Sequence, residues 1–166
     1  MAALVFYSFV LNFVVYPGVC LATHLDMLSG LGGKEKAWFG LTMVAVFNAC
    51  NTVGPIVAGR YPLYPPRLAW IPAFLRSVFV PTFLLIALAQ PPQWLFCSDW
   101  FRLVNMALFA LTNGHVVTVC MCSGPDRVTK EDRELAGFIM GFSLSAGIFV
   151  GALIATFGLE RINFAG

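Results

Sequence analysis

The chain has 166 residues, of which 59% are hydrophobic and only 11% are charged. An ordinary soluble domain carries about 25% charged residues, so this composition excludes a typical water-soluble domain and indicates lipid as the main solvent. The net charge of +2 gives no reason to expect a nucleic acid polymer as a partner.

Five apolar runs are long enough to cross a membrane, and they cover residues 3–23, 38–59, 68–89, 99–121 and 135–158. A hydrocarbon core about 30 Å thick needs about 20 apolar residues per helix, and backbone groups inside it must pair with one another. All eight acidic residues lie in the linkers or at the ends of runs, and the four tryptophans lie near predicted helix ends. The sequence therefore predicts an all-α integral membrane protein, with one membrane domain of five transmembrane helices.

The basic residues of the linkers predict the orientation of these helices. The second and fourth linkers together carry five Lys and Arg residues, whereas the first linker and the tail carry three. Because cytoplasmic loops are enriched in Lys and Arg, we expect the second and fourth linkers in the cytoplasm. The N-terminus of this segment is then also cytoplasmic.

Polar or helix-breaking residues interrupt the first two runs. Tyr16, Pro17 and Gly18 lie well inside the first run, where proline removes a helix hydrogen bond and predicts a kink. The second run contains FNACNTVGP at residues 47–55, which places Asn48 and Asn51 near mid-span. Gly54 and Pro55 in the same stretch predict a bend.

The third run contains Arg76, which needs a polar partner at that depth. An arginine at the bilayer centre costs about 2.5–3.5 kcal/mol on insertion scales. It could meet a water-filled cavity, reach the headgroups by snorkelling, or pair with a group from a chain that is not present. The sequence leaves these three alternatives open.

The fourth run carries Asn113 and His115 near its centre. Asparagines in two runs, beside kink-forming residues, predict a polar pathway through the bundle, to which Arg76, Asn113 and His115 would contribute as gating or cavity residues. His115 could titrate near neutral pH or serve as a neutral hydrogen-bonding group. Since no carboxylate lies inside a run, passive movement of a substrate is expected rather than a proton relay of the Asp/Glu type.

The fifth run repeats a spacing of small residues that lets helix backbones approach closely in lipid. Its members are Gly137 and Gly141, then Gly147 and Gly151. We expect this helix to pack against neighbours through these glycines.

The chain shows no cofactor or metal-binding pattern that suggests an enzyme. Cys120 and Cys122 have no second pair of ligands, so we interpret the cysteines as small apolar residues. No pair of nucleophile and base and no phosphate-binding loop is present. We therefore expect no metal, no cofactor and no enzymatic activity.

Five stretches resemble the C-terminal half of the equilibrative nucleoside transporters. They are VYPG, FNACNTVG, LRSVFVP, LTNGHVVTVCMCSGP and ELAGFIMGFSLSAGIFVGA, and the similarity covers roughly residues 10–158. The resemblance implies eleven spans in a major-facilitator-like arrangement, six then five, of which this chain holds the last five. It implies a fragment, a truncated product, or a half that associates with a missing N-terminal half.

The resemblance also implies a substrate site for nucleosides or nucleobases. It places Tyr16 beside the kink that lines the cavity, Asn48 and Asn51 on the substrate-facing side of the second span, and Ile148 on the apolar wall of the last. Where the family usually has Asp and, one turn later, Arg, this chain has Asn51 and Pro55. This departure implies either a changed substrate, such as a free nucleobase, or a protein that no longer transports.

Two functional hypotheses follow. The first is facilitative transport of nucleosides or nucleobases by alternating access, in the plasma membrane or in an intracellular membrane. The second is a non-transporting membrane protein derived from such a transporter, with an interaction role or no activity.

Overall fold

The structure, a computed structural model, describes residues 1–19, 35–61, 63–88 and 98–163. Every regular element in these ranges is a helix. Four helices are long and apolar enough to cross a membrane, and a shorter apolar helix runs from Ala2 to Tyr16. The predicted all-α membrane fold is therefore confirmed, although residues 20–23 and 89 of the predicted spans lie outside the described ranges.

The helices follow the predicted apolar runs closely. The third span changes from α-helix to one 3₁₀ turn at its centre and then returns to α-helix. In chain order the elements are α1 (Ala2–Phe13), a π-helical turn (Val14–Val19), α2 (Glu35–Arg60), a 3₁₀ turn (Pro66–Leu68), α3 (Trp70–Leu75), a 3₁₀ turn (Arg76–Val78), α4 (Phe79–Leu88), α5 (Asp99–Ser123), a 3₁₀ turn (Pro125–Arg127) and α6 (Arg133–Asn163).

Both prolines predicted to distort helices lie in helical segments. Around Pro17 the hydrogen bonding of the first span changes to a π-helical turn, because proline lacks the N–H that would continue the α-helical pattern. Pro55 instead lies inside α2, which continues to Arg60.

Helix α5 lies at the centre of the bundle. It packs mainly against α2 and also against α1, while α6 packs mainly against α1. In the most apolar stretch of 18 residues, 56% of α5 is buried, compared with 17% of α2 and 22% of α6. The outer helices therefore leave most of their surface open to lipid or to another part of a protein.

Glycines allow close backbone contacts at two helix crossings. A Cβ added at Gly54 would lie 2.6 Å from the Leu111 carbonyl oxygen, so the backbones of α2 and α5 touch there. A Cβ at Gly147 would lie 2.6 Å from the Phe6 carbonyl oxygen of α1, and a Cβ at Gly151 would lie 2.9 Å from the Val10 carbonyl oxygen, one turn further along α1.

The other two glycines predicted to pack helices have a different environment. A Cβ added at Gly137 or Gly141 would meet nothing within 4 Å among the described residues. Both line an open groove on α6, together with Phe138 and Phe142. Gly137 and Gly141 thus have the same spacing as Gly147 and Gly151, but they lie on a part of α6 that no described helix covers.

Two apolar clusters form the core, one towards each end of the bundle. The Phe109 cluster consists of Val15, Met43, Phe47, Phe83, Ile86, Met106, Phe109 and Ala110. The Val116 cluster consists of Val5, Ala58, Ala69, Ala73, Val116, Val119, Cys120 and Met140.

Candidate functional site

A polar layer separates the two apolar clusters. On each of four spans, a polar residue lies in sequence between a residue of one cluster and a residue that packs in the other. Since neighbouring spans run in opposite directions, these positions meet at about the same depth, near the middle of each span. The polar layer consists of Ser8, Asn12, Asn51, Arg76 and Asn113.

Two asparagines of the polar layer join α2 to α5. The Nδ2 of Asn113 donates to the Oδ1 of Asn51 over 2.9 Å. Asn113 is 3% exposed, whereas Asn51 is only half-buried. The bond therefore runs from a side chain inside the bundle to one at its edge.

The backbone at this crossing fits around Pro55. A Cβ added at Gly114 would lie 2.7 Å from Cδ of Pro55 and even closer to the carbonyl oxygen of Asn51. Pro55 has no N–H to donate to that carbonyl one turn earlier, so the oxygen lacks its usual helical donor. It faces Gly114, where the missing side chain allows the approach.

Arg76 is the only charged member of the polar layer. It is 1% exposed, and its guanidinium carbon lies 4.9 Å from the ring centroid of Phe109, a cation–π distance. None of its three side-chain nitrogens has a hydrogen-bond partner among the described residues. Snorkelling to the headgroups, one of the alternatives from the sequence, does not describe a guanidinium enclosed at mid-span.

Ser77, the residue after Arg76, holds the third span against the first. The hydroxyls of Tyr7 and Ser77 are hydrogen-bonded to each other. The ring of Tyr7 also lies 5.0 Å from that of Phe74. These contacts fix the 3₁₀ turn that carries Arg76 against α1.

His115 directly follows Gly114 at the crossing, and its side chain pairs with the second linker. Its Nδ1 lies 3.0 Å from the hydroxyl of Tyr64, and the two rings are 5.2 Å apart. Burial raises the pKa of Tyr64 to about 12, so its hydroxyl keeps its proton. The tautomer of His115 decides whether this hydroxyl donates to Nδ1 or accepts from it. His115 is thus a hydrogen-bonding residue in this structure, at the edge of a pocket of about 190 Å³.

The remaining residues implied by the family resemblance lie outside the polar layer. Tyr16 is half-buried and its ring stacks on that of Phe47, with centroids 4.3 Å apart. Asn48 is exposed and donates to the carbonyl of Val44 in its own helix. Ile148 is half-buried on α6, next to the glycine that contacts α1.

An open face of α2 borders the polar layer. Asn48 and Thr52 are exposed on this face at mid-span, together with Val44 and Ile56. Exposed polar side chains at that depth indicate a surface that faces a cavity or another part of the protein rather than lipid. Asn51 reaches the edge of this face from the polar layer.

Sequence reasoning missed several members of the site. Ser8 and Asn12 are buried, and the Ser8 hydroxyl and the Asn12 oxygen have no partner among the described residues. Their spacing of four residues puts them on one face of α1, and this pattern in an apolar run could have revealed them. The contact between Tyr64 and His115 has no comparable signal, because it joins a linker to a distant helix.

The described residues include no group of three His, Cys, Asp or Glu side chains that could hold a metal ion. The chemistry of the layer is therefore that of hydrogen bonding and of one buried cation. Several helices that are long and apolar enough to cross a membrane, and that enclose polar groups at mid-span, define a multi-pass membrane protein.

Comparison with known proteins identifies the family. The family described as "Nucleoside transporter" matches residues 1–158, and the chain belongs to it. It is 30% identical over 152 residues to equilibrative nucleoside transporter 1 of Homo sapiens, a match that covers 86% of this chain and 33% of the human protein. It is 37% identical over 154 residues to the Rattus norvegicus protein of the same name, covering 86% and 33%.

A more distant relative has a similar extent of match. Adenosine transporter 1 of Crithidia fasciculata is 25% identical over 157 residues, which cover 90% of this chain and 29% of that protein. The chain thus spans about a third of the length of the curated relatives it matches.

Proposed function

We propose that this chain is the C-terminal, five-helix part of a facilitative transporter of nucleosides or nucleobases that works by alternating access. The observation that carries the proposal is the mid-span polar layer beside an open polar face of α2, in a member of the nucleoside transporter family. Facilitator-type transporters bind substrate near the midplane, between two halves that move against each other. The polar face of α2 supplies one such wall.

The roles of the residues follow from their exposure. Asn48 and Asn51 can reach a substrate in the cavity, with Tyr16 and Ile148 contributing the apolar boundary. Arg76, Asn113 and His115 are buried, so they act on the shape and polarity of the wall rather than by direct contact. A missing N-terminal half would supply the opposite wall.

The proposal also covers the driving force of transport and the membrane in which it takes place. All acidic residues of the chain lie in linkers or at span ends, which favours passive movement over a carboxylate proton relay. We place the transporter in the plasma membrane, with the N-terminus of this segment and its second and fourth linkers in the cytoplasm.

Uptake measurements test the proposal. The longest natural chain that contains residues 1–166 would be expressed in cells that lack nucleoside and nucleobase uptake, and labelled adenosine and hypoxanthine would be supplied. We expect saturable uptake that excess unlabelled substrate blocks, and none from residues 1–166 expressed alone, because the opposite wall is absent. Lack of uptake by the long chain, despite its presence at the cell surface, would refute transport and leave a non-transporting membrane protein.

A further inference from the structure

The hydrogen bond between Asn113 and Asn51 has a direction. Asn113 donates through Nδ2, and Asn51 accepts through Oδ1. Asn113 is 3% exposed, so it cannot reach a substrate on the open face, whereas the half-buried Asn51 can. The buried residue therefore determines how the accessible one is oriented.

The direction of this bond decides which atom Asn51 presents. A side-chain amide has one oxygen that accepts and one nitrogen that donates two hydrogen bonds. Because the oxygen is turned towards α5, the nitrogen is turned away from it. Asn51 then offers N–H groups to the open face.

The composition of the polar layer supports the same orientation. Arg76, at the same depth, has only donor groups, and none of them has a partner among the described residues. The Oδ1 of Asn113 is likewise buried without a described partner. An acceptor is the complementary atom to turn into a layer that holds a buried cation. If the Asn51 amide were reversed, its nitrogen would add another donor to the layer that already holds Arg76.

We propose that Asn113 is a positioning residue that fixes Asn51 as a hydrogen-bond donor, so that the site selects nucleobases with a ring carbonyl over bases with an amino group at that position. The inference rests on the proposed transport function and names its substrate class. A carboxylate would accept hydrogen bonds from both hydroxyls of a ribose. A neutral amide held as a donor complements a carbonyl oxygen instead.

Two pairs of bases test this selectivity. Hypoxanthine and adenine share a ring system but carry a carbonyl and an amino group, respectively, at one position, and uracil and cytosine make the same exchange on a smaller ring. Uptake efficiency, Vmax/KM, would be measured for each base in the longest natural chain. One unpaired polar group predicts at least about a fivefold preference for the carbonyl base in both pairs, expressed mainly in KM.

Variants at the two asparagines separate positioning from a structural role. Asn113→Leu removes the donor and lets the Asn51 amide turn. The ratio of Vmax/KM for the carbonyl base to that for the amino base should then fall towards one. Asn113→Asp can only accept, so it should hold the Asn51 nitrogen, turn the oxygen outward and reverse the preference. Asn105→Leu is the matched control, because Asn105 is also a buried asparagine of α5 and the preference should not change.

The outcomes distinguish the inference from the function on which it rests. If wild-type protein takes up neither bases nor nucleosides, the transport function fails and the inference fails with it. If uptake is saturable but the bases of each pair are taken up equally, only the inference is overturned. The inference alone is also overturned if Asn113→Asp reaches the membrane and transports with the wild-type preference.

Discussion

The crossing of α2 and α5 gives the sharpest test of the packing. In Gly114→Ala the new Cβ would lie 2.7 Å from Cδ of Pro55, and closer still to the Asn51 carbonyl oxygen. The helices would have to separate by roughly 1 Å to restore an ordinary van der Waals contact. The bond from Asn113 to Asn51, now 2.9 Å, would then exceed the usual hydrogen-bond range.

The expected cost combines two effects. Inserting a methyl group into a well-packed contact costs about 1–3 kcal/mol, and an interhelical hydrogen bond in a membrane contributes about 0.6 kcal/mol. Gly114→Ala should therefore lower the free energy of unfolding by about 2–4 kcal/mol. The measurement is unfolding of the purified protein in mixed micelles of mild detergent and SDS, followed by circular dichroism.

Gly137→Ala is the matched control, because the same chemical change meets open space there. Any difference in backbone freedom between glycine and alanine applies to both helices, so the contrast isolates the crossing. We expect the control to be as stable as wild type or more stable by up to about 1 kcal/mol, because alanine is the better helix former. Equal unfolding free energies for the two variants would show that α2 and α5 do not meet at Gly114.

Three further predictions concern other contacts of the bundle. Gly147→Val should destabilise the contact between α1 and α6 by about 1–3 kcal/mol, whereas Gly141→Val, in open space, should have little effect; equal melting temperatures would contradict this. Arg76→Met should keep or raise thermal stability, because it removes a buried charge that has no described acceptor; a loss of more than about 3 kcal/mol would indicate a strong ionic partner. Tyr64→Phe should cost about 1–3 kcal/mol, because it leaves the ring nitrogen of its histidine partner unpaired, and the exposed Tyr61→Phe should not; the comparison fails if both variants melt alike.

Much of the fold could be predicted from the sequence, because bilayer thickness and the cost of burying charge act on each segment separately. The predicted run at 99–121 became α5 (Asp99–Ser123), and that at 38–59 became α2 (Glu35–Arg60). The same local reasoning identified Asn51, Arg76 and Asn113 as polar residues inside spans. Their roles towards a substrate stay a prediction.

The partners of these residues depended on the rotation and contacts of whole helices, which no local pattern records. Gly137 and Gly147 belong to one repeated spacing, yet only Gly147 lies against another helix in the described structure. Asn51 and Asn113 are 62 residues apart, and only the crossing of α2 and α5 brings them within hydrogen-bond distance.

The sequence by itself determined that this chain crosses a membrane several times and carries polar groups at mid-span. Those properties follow from the free energy of transferring each segment into lipid, which depends on its own residues. The tertiary structure decided that the groups form one layer between two apolar clusters, and that a buried asparagine is hydrogen-bonded to a half-buried one. Hydrogen bonds between helices act over about 3 Å, so they exist only once packing has fixed the rotation and depth of every helix.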